Sequence, residues 1–526
     1  MNFKYSLTNG SVRQKIVGRS SEMVANSGGG YGFKLDDFKF LERFLIMGAT
    51  SGTYYISKNN HQYNNFENVI SCIKQDGTRV VSEIVRISTN NLSHKNDHAI
   101  FALALVFAHG SNDAKQQAVK AFNSVVRTGT HLFMFASFIK SMRGFGKSVR
   151  AAINNWYIGR SDISFANQVT KYQNREGWSH LDVFRLAHPS FANSEAKNRI
   201  SNWVAGKNVA FNTANNGEAL IDAFVRVHKT ESLKEVLEMI STYGLQREHV
   251  PTKFLNTKEV QEVMLPNLGG TALLRNLGNM SKSGLLGVFS DASKFVVEKL
   301  TDKEFLKSNK LHPLTILVAK KTYESGHSKL GSGTWQVNNS IVDALETAFY
   351  LSFDAIEPTG KNYLYGIDVS GSMGWLEPST GLKYCEIAAV LAMAHLRSEA
   401  NTFVGGFASG FVDLKISKRD TLNSASSKCL MRNFGATSAA AAIKYATDNK
   451  IPADCFVIIT DCEVNTGSHP TVALKEFRQK MSRQSSMIVC GLQSVPYSVA
   501  DPKDPLQLDI SGFSPDITSI ISGFTR

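Results

Sequence analysis

Cysteine is scarce. The 526 residues hold six, Cys72, Cys385, Cys429, Cys455, Cys462 and Cys490, with no CxxC pair among them. That number and spacing exclude a disulfide framework and a cysteine zinc site, and predict reduced, mostly buried thiols. Also absent is any run of 18 uncharged apolar residues, so no segment suits a membrane-spanning helix. The opening MNFKYSLTNGSVRQKIVGR has no apolar core of the secretory kind. A cytoplasmic protein is therefore expected, with residues 1–20 as a flexible N-terminal arm. Glycine and proline together number 51 and charged residues are 20%, too ordinary a balance for extensive disorder. Catalytic signatures are missing too: there is no HExxH or GxSxG, and His469 near Cys462 has no third partner to complete a nucleophile. GGGYGFK at Gly28–Lys34 has the glycines of a phosphate loop without its spacing or a strong preceding strand, and reads as a flexible turn. The protein is not expected to be an enzyme.

Positive charge is in excess and unevenly placed. The chain carries 58 Lys/Arg against 45 Asp/Glu, a net of +13. From Lys361 onward the balance is 16 against 15, which leaves 42 against 30 in the first 360 residues. Such a bias favours a polyanionic partner, RNA or DNA, over a membrane, for which no basic anchor helix or lipidation signal stands out.

Length and 43% hydrophobic content require at least two packed regions. From about Lys34 to Phe353 the pattern predicts many short helices. In SIVDALETAFYLSF, Ile341, Leu345, Ala348 and Phe353 recur on one face; SLKEVLEMISTY repeats this with Leu233, Val236, Leu237 and Ile240. No strict repeat is present, so helix piled on helix, in an irregular HEAT-like array, is the implied architecture. After EPTG at Glu357–Gly360 the runs YLYGID, TFVGGF, CFVIIT and MIVCGL alternate with helical segments such as KYCEIAAVLAMAHLR. This predicts a doubly wound parallel sheet over 361–526, with ligands beyond the carboxyl ends of its strands. The expected organisation is multidomain: the arm, an all-α region over 21–360, and the α/β domain.

The first strand of that sheet runs into Asp368-Val369-Ser370-Gly371-Ser372-Met373. Alternate side chains of an extended segment point the same way, so Asp368, Ser370 and Ser372 converge. A carboxylate and two hydroxyls form a hard oxygen set suited to Mg²⁺ or Mn²⁺. Thr437 in the GATSAA loop and Asp461 at the end of CFVIIT add a hydroxyl and a second carboxylate at the same edge. The constellation resembles the metal-ion-dependent adhesion site (MIDAS) of von Willebrand factor A domains.

Several segments of the first 360 residues extend the resemblance. They are GTYYI (Gly52–Ile56), THLF (Thr130–Phe133), INNWY (Ile153–Tyr157), TKYQNREGWSHLDVFRLAH (Thr170–His188), REHVPTKFL (Arg247–Leu255), TALLRNLGNM (Thr271–Met280) and the joining IEPTGK (Ile356–Lys361). With TDCEVNTGSHPTVALKEFR in the A domain, they are similar to the Ro autoantigen family, whose N-terminal part is the TROVE module. The resemblance implies a ring of helical repeats closed by the A domain. It implies binding of small noncoding Y-like RNA outside the ring, entry of single-stranded ends of misfolded RNA into the central hole, and a role in RNA quality control, sometimes beside an exoribonuclease. The family's outer RNA contacts fall on Lys171, Arg175 and His188. If their segment is helical, Lys171 and Arg175 lie four residues apart on one face and present two phosphate-binding cations together. Lys147 and Arg150 are further basic candidates, whereas Trp156 and Trp178 read as core.

The leading expectation is a monomeric RNA-binding scaffold whose A domain holds Mg²⁺ and recruits a partner, an exoribonuclease or another acidic protein ligand. The alternative is a metal-dependent protein-interaction scaffold without an RNA function.

Overall fold

The chain enters through a short antiparallel hairpin, β1 (Met23–Ala25) and β2 (Tyr31–Lys34), before its first long helix. The computed structural model describes residues 14, 20–49, 58–175, 177–328, 333–353, 358–377, 380–430 and 436–526. The GTYYI segment and Ile356–Glu357 of the joining motif lie outside these residues.

Among the described residues helices then follow from Asp37 to Leu351, interrupted by a small two-stranded element, β3 (Asn174–Arg175) and β4 (Trp178–Ser179), and by an isolated bridge between His327 and Thr334. Local chemistry sets their ends. In the helix Leu233–Tyr243 the Ser232 side chain accepts from the Glu235 amide at the start, and Gly244 closes the last turn at φ 63°. The expected apolar stripe is buried at Val236 and Ile240. In the helix Asn339–Leu351, Ile341, Leu345 and Ala348 are buried likewise, and Phe353 just beyond it.

The remaining strands are β5 (Asn362–Asp368), β6 (Leu376–Glu377), β7 (Leu382–Lys383), β8 (Asn401–Phe407), β9 (Phe411–Asp413), β10 (Cys455–Thr460), β11 (Ser486–Gly491), β12 (Tyr497–Ser498) and β13 (Gln507–Ser511). Six of them form one sheet in the order β13-β11-β10-β5-β8-β9. All its pairings are parallel except β9, which runs antiparallel to β8 at the edge. The four apolar runs are its four inner strands. The edge strands were not read from sequence, because QLDIS and FVD are short and half polar, as edges are.

Alternation along the inner strands divides the core. Tyr363, Tyr365, Ile367, Val457 and Ile459 face one side, Leu364, Phe456 and Ile458 the other. The second face is covered by the helices Ala440–Asp448 and Pro470–Met481. The first face shares a continuous apolar cluster with helices between Leu265 and Phe353, while residues from Phe38 to Met264 form a separate core. The apolar packing therefore changes over at Met264/Leu265, and the sheet shares its core with the helices that follow Leu265. Phe353 and Phe513 touch across the join at 5.8 Å between ring centroids.

The start of the chain docks on the same domain. β2 pairs with β12, Phe33 opposite Ser498. Arg43, fully buried on the first helix, donates to the carbonyls of Val495 (3.3 Å) and Tyr497 (3.0 Å) and pairs with Asp509 at 2.5 Å. Asn65 and Ser494 add a further bond at 2.6 Å. The GGGYGFK segment is thus a packed hairpin rather than a flexible turn. A Cβ on Gly30 would stand 2.0 Å from the Val464 carbonyl, so the close approach requires glycine. Gln14, expected in a loose arm, is buried and accepts from the Tyr31 amide at 2.8 Å; the other residues of 1–19 lie outside the described set. All six cysteines are free and buried.

Candidate functional site

Asp368 ends β5, and the chain then turns through a short 3₁₀ segment, Gly371–Gly374. Asp368 Oδ1 accepts from the Ser370 amide (3.0 Å) and hydroxyl (2.6 Å), and the Ser370 and Ser372 hydroxyls are 3.2 Å apart. β10 lies beside β5 in parallel register, Ile459 opposite Ile367. This brings the Thr460 hydroxyl to Asp368 Oδ2 at 2.6 Å and sets Asp461 just beyond it. Thr437 arrives from a third direction. Its amide donates to Asn465 Oδ1 (2.9 Å), its carbonyl accepts from the Asn465 amide (3.0 Å), and the Ser438 amide donates to the Ala408 carbonyl (2.7 Å). The ends of β5, β8 and β10 therefore position the five expected residues, all of them buried.

The electrostatics are those of an acid pair out of water. Burial, reinforced by the neighbouring Asp461 charge, raises the Asp368 carboxyl to about 7; burial also raises Asp461, against the Ser372 hydroxyl and the Glu463 amide. Two buried oxygens, Thr437 Oγ1 and Asp461 Oδ2, have no hydrogen-bond partner among the described residues. Buried acceptors normally find one, and a hard divalent cation would satisfy both. Among the described residues no three His, Cys, Asp or Glu side chains stand together in metal-binding geometry, so a cation here would draw most protein ligands from hydroxyls.

Two contributors were missed from sequence. Thr460 orients Asp368; its signal was the Thr-Asp pair closing an apolar strand. Glu463, fully buried, accepts from the Tyr497 hydroxyl and, at 2.7 Å, from the Gly28 amide. Burial, with the Asp461 charge adding, raises its carboxyl to about 7. Nothing local announces this role, because its partners lie 34 and 435 residues away.

The basic candidates are of another kind. Lys171 is the last residue of the helix Asp162–Lys171, and Arg175 lies in β3, so they do not share a helical face. The helix ends because Tyr172 leaves helical geometry and the chain folds into the β3–β4 turn. Lys171 Nζ is half-buried, donating to Gln246 Oε1 at 2.8 Å and standing 3.5 Å from Glu248. Arg175 is exposed, bonded to the Asn174 carbonyl. His188 is exposed at the far end of the helix His180–Ala187, in left-handed geometry at φ 51°. Eight helical residues separate it from the turn, about 12 Å. Lys147 and Arg150 are exposed in the first turn of the helix Lys147–Ile158, which has no acidic residue and no side-chain cap there. Free amides and two cations at a helix start suit a phosphate. Trp156 and Trp178 are buried, as expected of core.

Residues 24–331 match the TROVE domain and 362–525 the Ro60 vWA domain. Over 508 residues the chain is 33% identical to the RNA-binding protein RO60 of Deinococcus radiodurans, covering 96% of this chain and 95% of that one. To the RNA-binding protein RO60 of Caenorhabditis elegans it is 30% identical over 581 residues, 95% of this chain and 90% of the other. The crystal structure of the Deinococcus radiodurans RO (RSR) protein superposes with a TM-score of 0.70 at 33% identity, covering 93% of this chain and 99% of that one. With both domains matched in order and relatives aligned nearly end to end, the chain belongs to the Ro60 family, a helical TROVE domain followed by a von Willebrand A domain.

Proposed function

We propose that this protein is an RNA-binding scaffold. In this reading Lys171, Arg175 and His188, with Lys147 and Arg150 nearby in sequence, form an outer surface for a small structured noncoding RNA of the Y type. Single-stranded ends of misfolded RNA enter a central opening of the helical region. The protein presents RNA for quality control in the cytoplasm and does not itself cut it. The observation that carries the reading is the nearly full-length similarity to two proteins named as RNA-binding; the basic excess confined to the first 360 residues agrees with it.

The reading gives the A domain a divalent cation, Mg²⁺ or Mn²⁺, held by Asp368, Ser370, Ser372, Thr437 and Asp461. A bound ion would supply a point of positive charge at the sheet edge for an acidic ligand. Trp375 and Leu376, 47% and 58% exposed, lie just after the metal loop and suit contact with a protein, such as an exoribonuclease.

The test is the affinity of the full chain for a small hairpin RNA, with and without Lys171→Ala plus Arg175→Ala. Loss of two charge-assisted contacts should weaken binding roughly tenfold or more. Failure of the unmodified protein to bind any RNA would leave only the protein-interaction reading.

A further inference from the structure

Between the helices Gly270–Lys282 and Asp291–Thr301 the chain runs Ser283-Gly284-Leu285-Leu286-Gly287-Val288-Phe289-Ser290. Leu285 and Leu286 are buried, yet Val288 is 58% and Phe289 88% exposed, the latter the most exposed of the large hydrophobic residues described. Phe289 also sits at φ 66°, the left-handed region. For a bulky side chain this is an uncommon and strained backbone, a feature that collects at functional positions.

The loop does not hold this shape by default. Ser290 Oγ donates to the Leu285 carbonyl (2.9 Å), the Ser290 amide to the Gly287 carbonyl (3.1 Å), and Asn338 Nδ2 to the Leu286 carbonyl (3.4 Å). The projecting pair is pinned on both sides. Capping does not explain it either. Phe289 precedes the N-cap Ser290, where an apolar side chain commonly packs on the fourth helical residue. Here that residue is Lys294, occupied by Asp291 at 2.9 Å, and the ring stands in solvent instead.

We infer that Phe289 is a stacking platform for an unpaired base of single-stranded RNA, with Arg275 and Lys282 taking the adjoining backbone. Those two cations are exposed on the helix that leads into the loop, seven residues and so two turns apart on one face. Neither has an ion-pair partner among the described residues. An exposed ring, with exposed cations on the helix that leads to it, is the composition that binds single strands without reading sequence, since every base has a face to stack. Duplex RNA offers no unstacked base to the ring. The inference rests on the RNA-binding reading and adds a second, strand-selective contact.

Fluorescence anisotropy of the full chain with a labelled twelve-nucleotide oligouridine and, separately, a blunt hairpin RNA closed by a compact tetraloop whose bases are stacked tests it at one salt concentration. Phe289→Ala should weaken oligouridine binding about five- to a hundredfold, the range for losing one stacked base, and change hairpin binding less than about twofold. Phe289→Trp should keep oligouridine affinity. Phe289→Gly should lose it as Ala does while melting no lower than the parent, because glycine is at ease in left-handed geometry. Arg275→Ala with Lys282→Ala should lower oligouridine affinity and its salt dependence together. Oligouridine binding unchanged in Phe289→Ala while the parent binds RNA would overturn the inference alone, as would equal losses for both RNAs. No binding of either RNA by the parent would overturn the RNA reading first.

Discussion

The sheet-edge donor set and the basic surface are opposites in construction. The first gathers five oxygen-bearing side chains around three strand ends, buries all of them, and leaves two of their oxygens with no partner among the described residues. The second spreads cations over a helix end, a two-residue strand and the start of another helix, mostly in solvent. A buried polar group costs free energy unless satisfied, so its neighbours are fixed by packing. An exposed lysine costs nothing where it stands, and its position carries no such constraint. Chemistry can therefore be argued from the geometry of the first site, and from the family for the second.

The two surfaces sit on regions that packing joins: helices from Leu265 to Phe353 share one apolar cluster with the sheet. A fragment covering residues 1–353 would expose the face shared by Leu265–Phe353 and the sheet, and lose the partners of Arg43. Its Phe38–Met264 core is intact, so that part should still melt cooperatively, below the full chain, while the helices from Leu265 to Phe353 lose their cover and leave the transition. A fragment that melts as a single unit at the temperature of the full chain and keeps RNA affinity would restore the two-module view implied by the charge division.

A smaller intervention tests the same join. Arg43→Ala removes one member of a buried, hydrogen-bonded pair, leaving Asp509 and two carbonyls behind. Removing one partner of such a pair costs about 3–5 kcal/mol, to be read from urea unfolding of the full chain. A cost below about 1 kcal/mol, the scale of an exposed pair, would show that the N-terminal docking contributes little.

How much of this was readable in advance follows from the same physics. β5, β8, β10 and β11 were found because inner parallel strands are unbroken apolar runs. The clustering of Asp368, Ser370 and Ser372 was legible because alternation along an extended chain places them together. What escaped depends on distant pairing: the β2–β12 contact, the Arg43 socket, Glu463 against Gly28, and a core boundary at Met264 that no break in composition marks. The helical pairing of Lys171 with Arg175 failed for a local reason. Four-residue spacing says nothing about whether the helix continues, and Tyr172, at φ −115° and ψ 60°, has already left it.

The cation site proposed at Asp368 gives the next effect in size. Burial raises Asp368 to about 7 and raises Asp461, so both prefer their protons in the folded chain. Without a cation, stability should fall as pH climbs from about 4, the ordinary carboxylate value, through 7, because the unfolded state releases those protons first. Mg²⁺ or Mn²⁺ needs the ionised pair, so its affinity should rise across the same interval. Melting temperatures between pH 5 and 8, with and without 5 mM of either ion (roughly a saturating range for a weak site), measure both trends. Asp368→Ala should abolish the ion-dependent rise and leave hairpin RNA affinity within about twofold. An ion effect that survives Asp368→Ala would remove the metal assignment.

The smallest effect separates cations within the basic surface. A cation on RNA raises the salt dependence of binding by releasing counterions, about 0.7 to 0.9 in the slope of log K against log salt for each phosphate neutralised. Arg175 is exposed, and among the described residues its side chain bonds to a neutral carbonyl, so Arg175→Ala should remove nearly that whole increment. Lys171 already stands 3.5 Å from Glu248 and donates to Gln246. To reach a phosphate it must leave a carboxylate, whose charge then goes uncompensated, and the net release of ions is smaller. Lys171→Ala should therefore change the slope by less than about half the Arg175→Ala change, while Glu248→Gln raises RNA affinity by freeing the lysine. Equal slope changes would mean that the Glu248 pair is already open in solution. A larger change for Lys171 would make it, and not the exposed arginine, the chief phosphate contact, and the division drawn here between buried sites set by geometry and exposed sites set by family would fail at that residue.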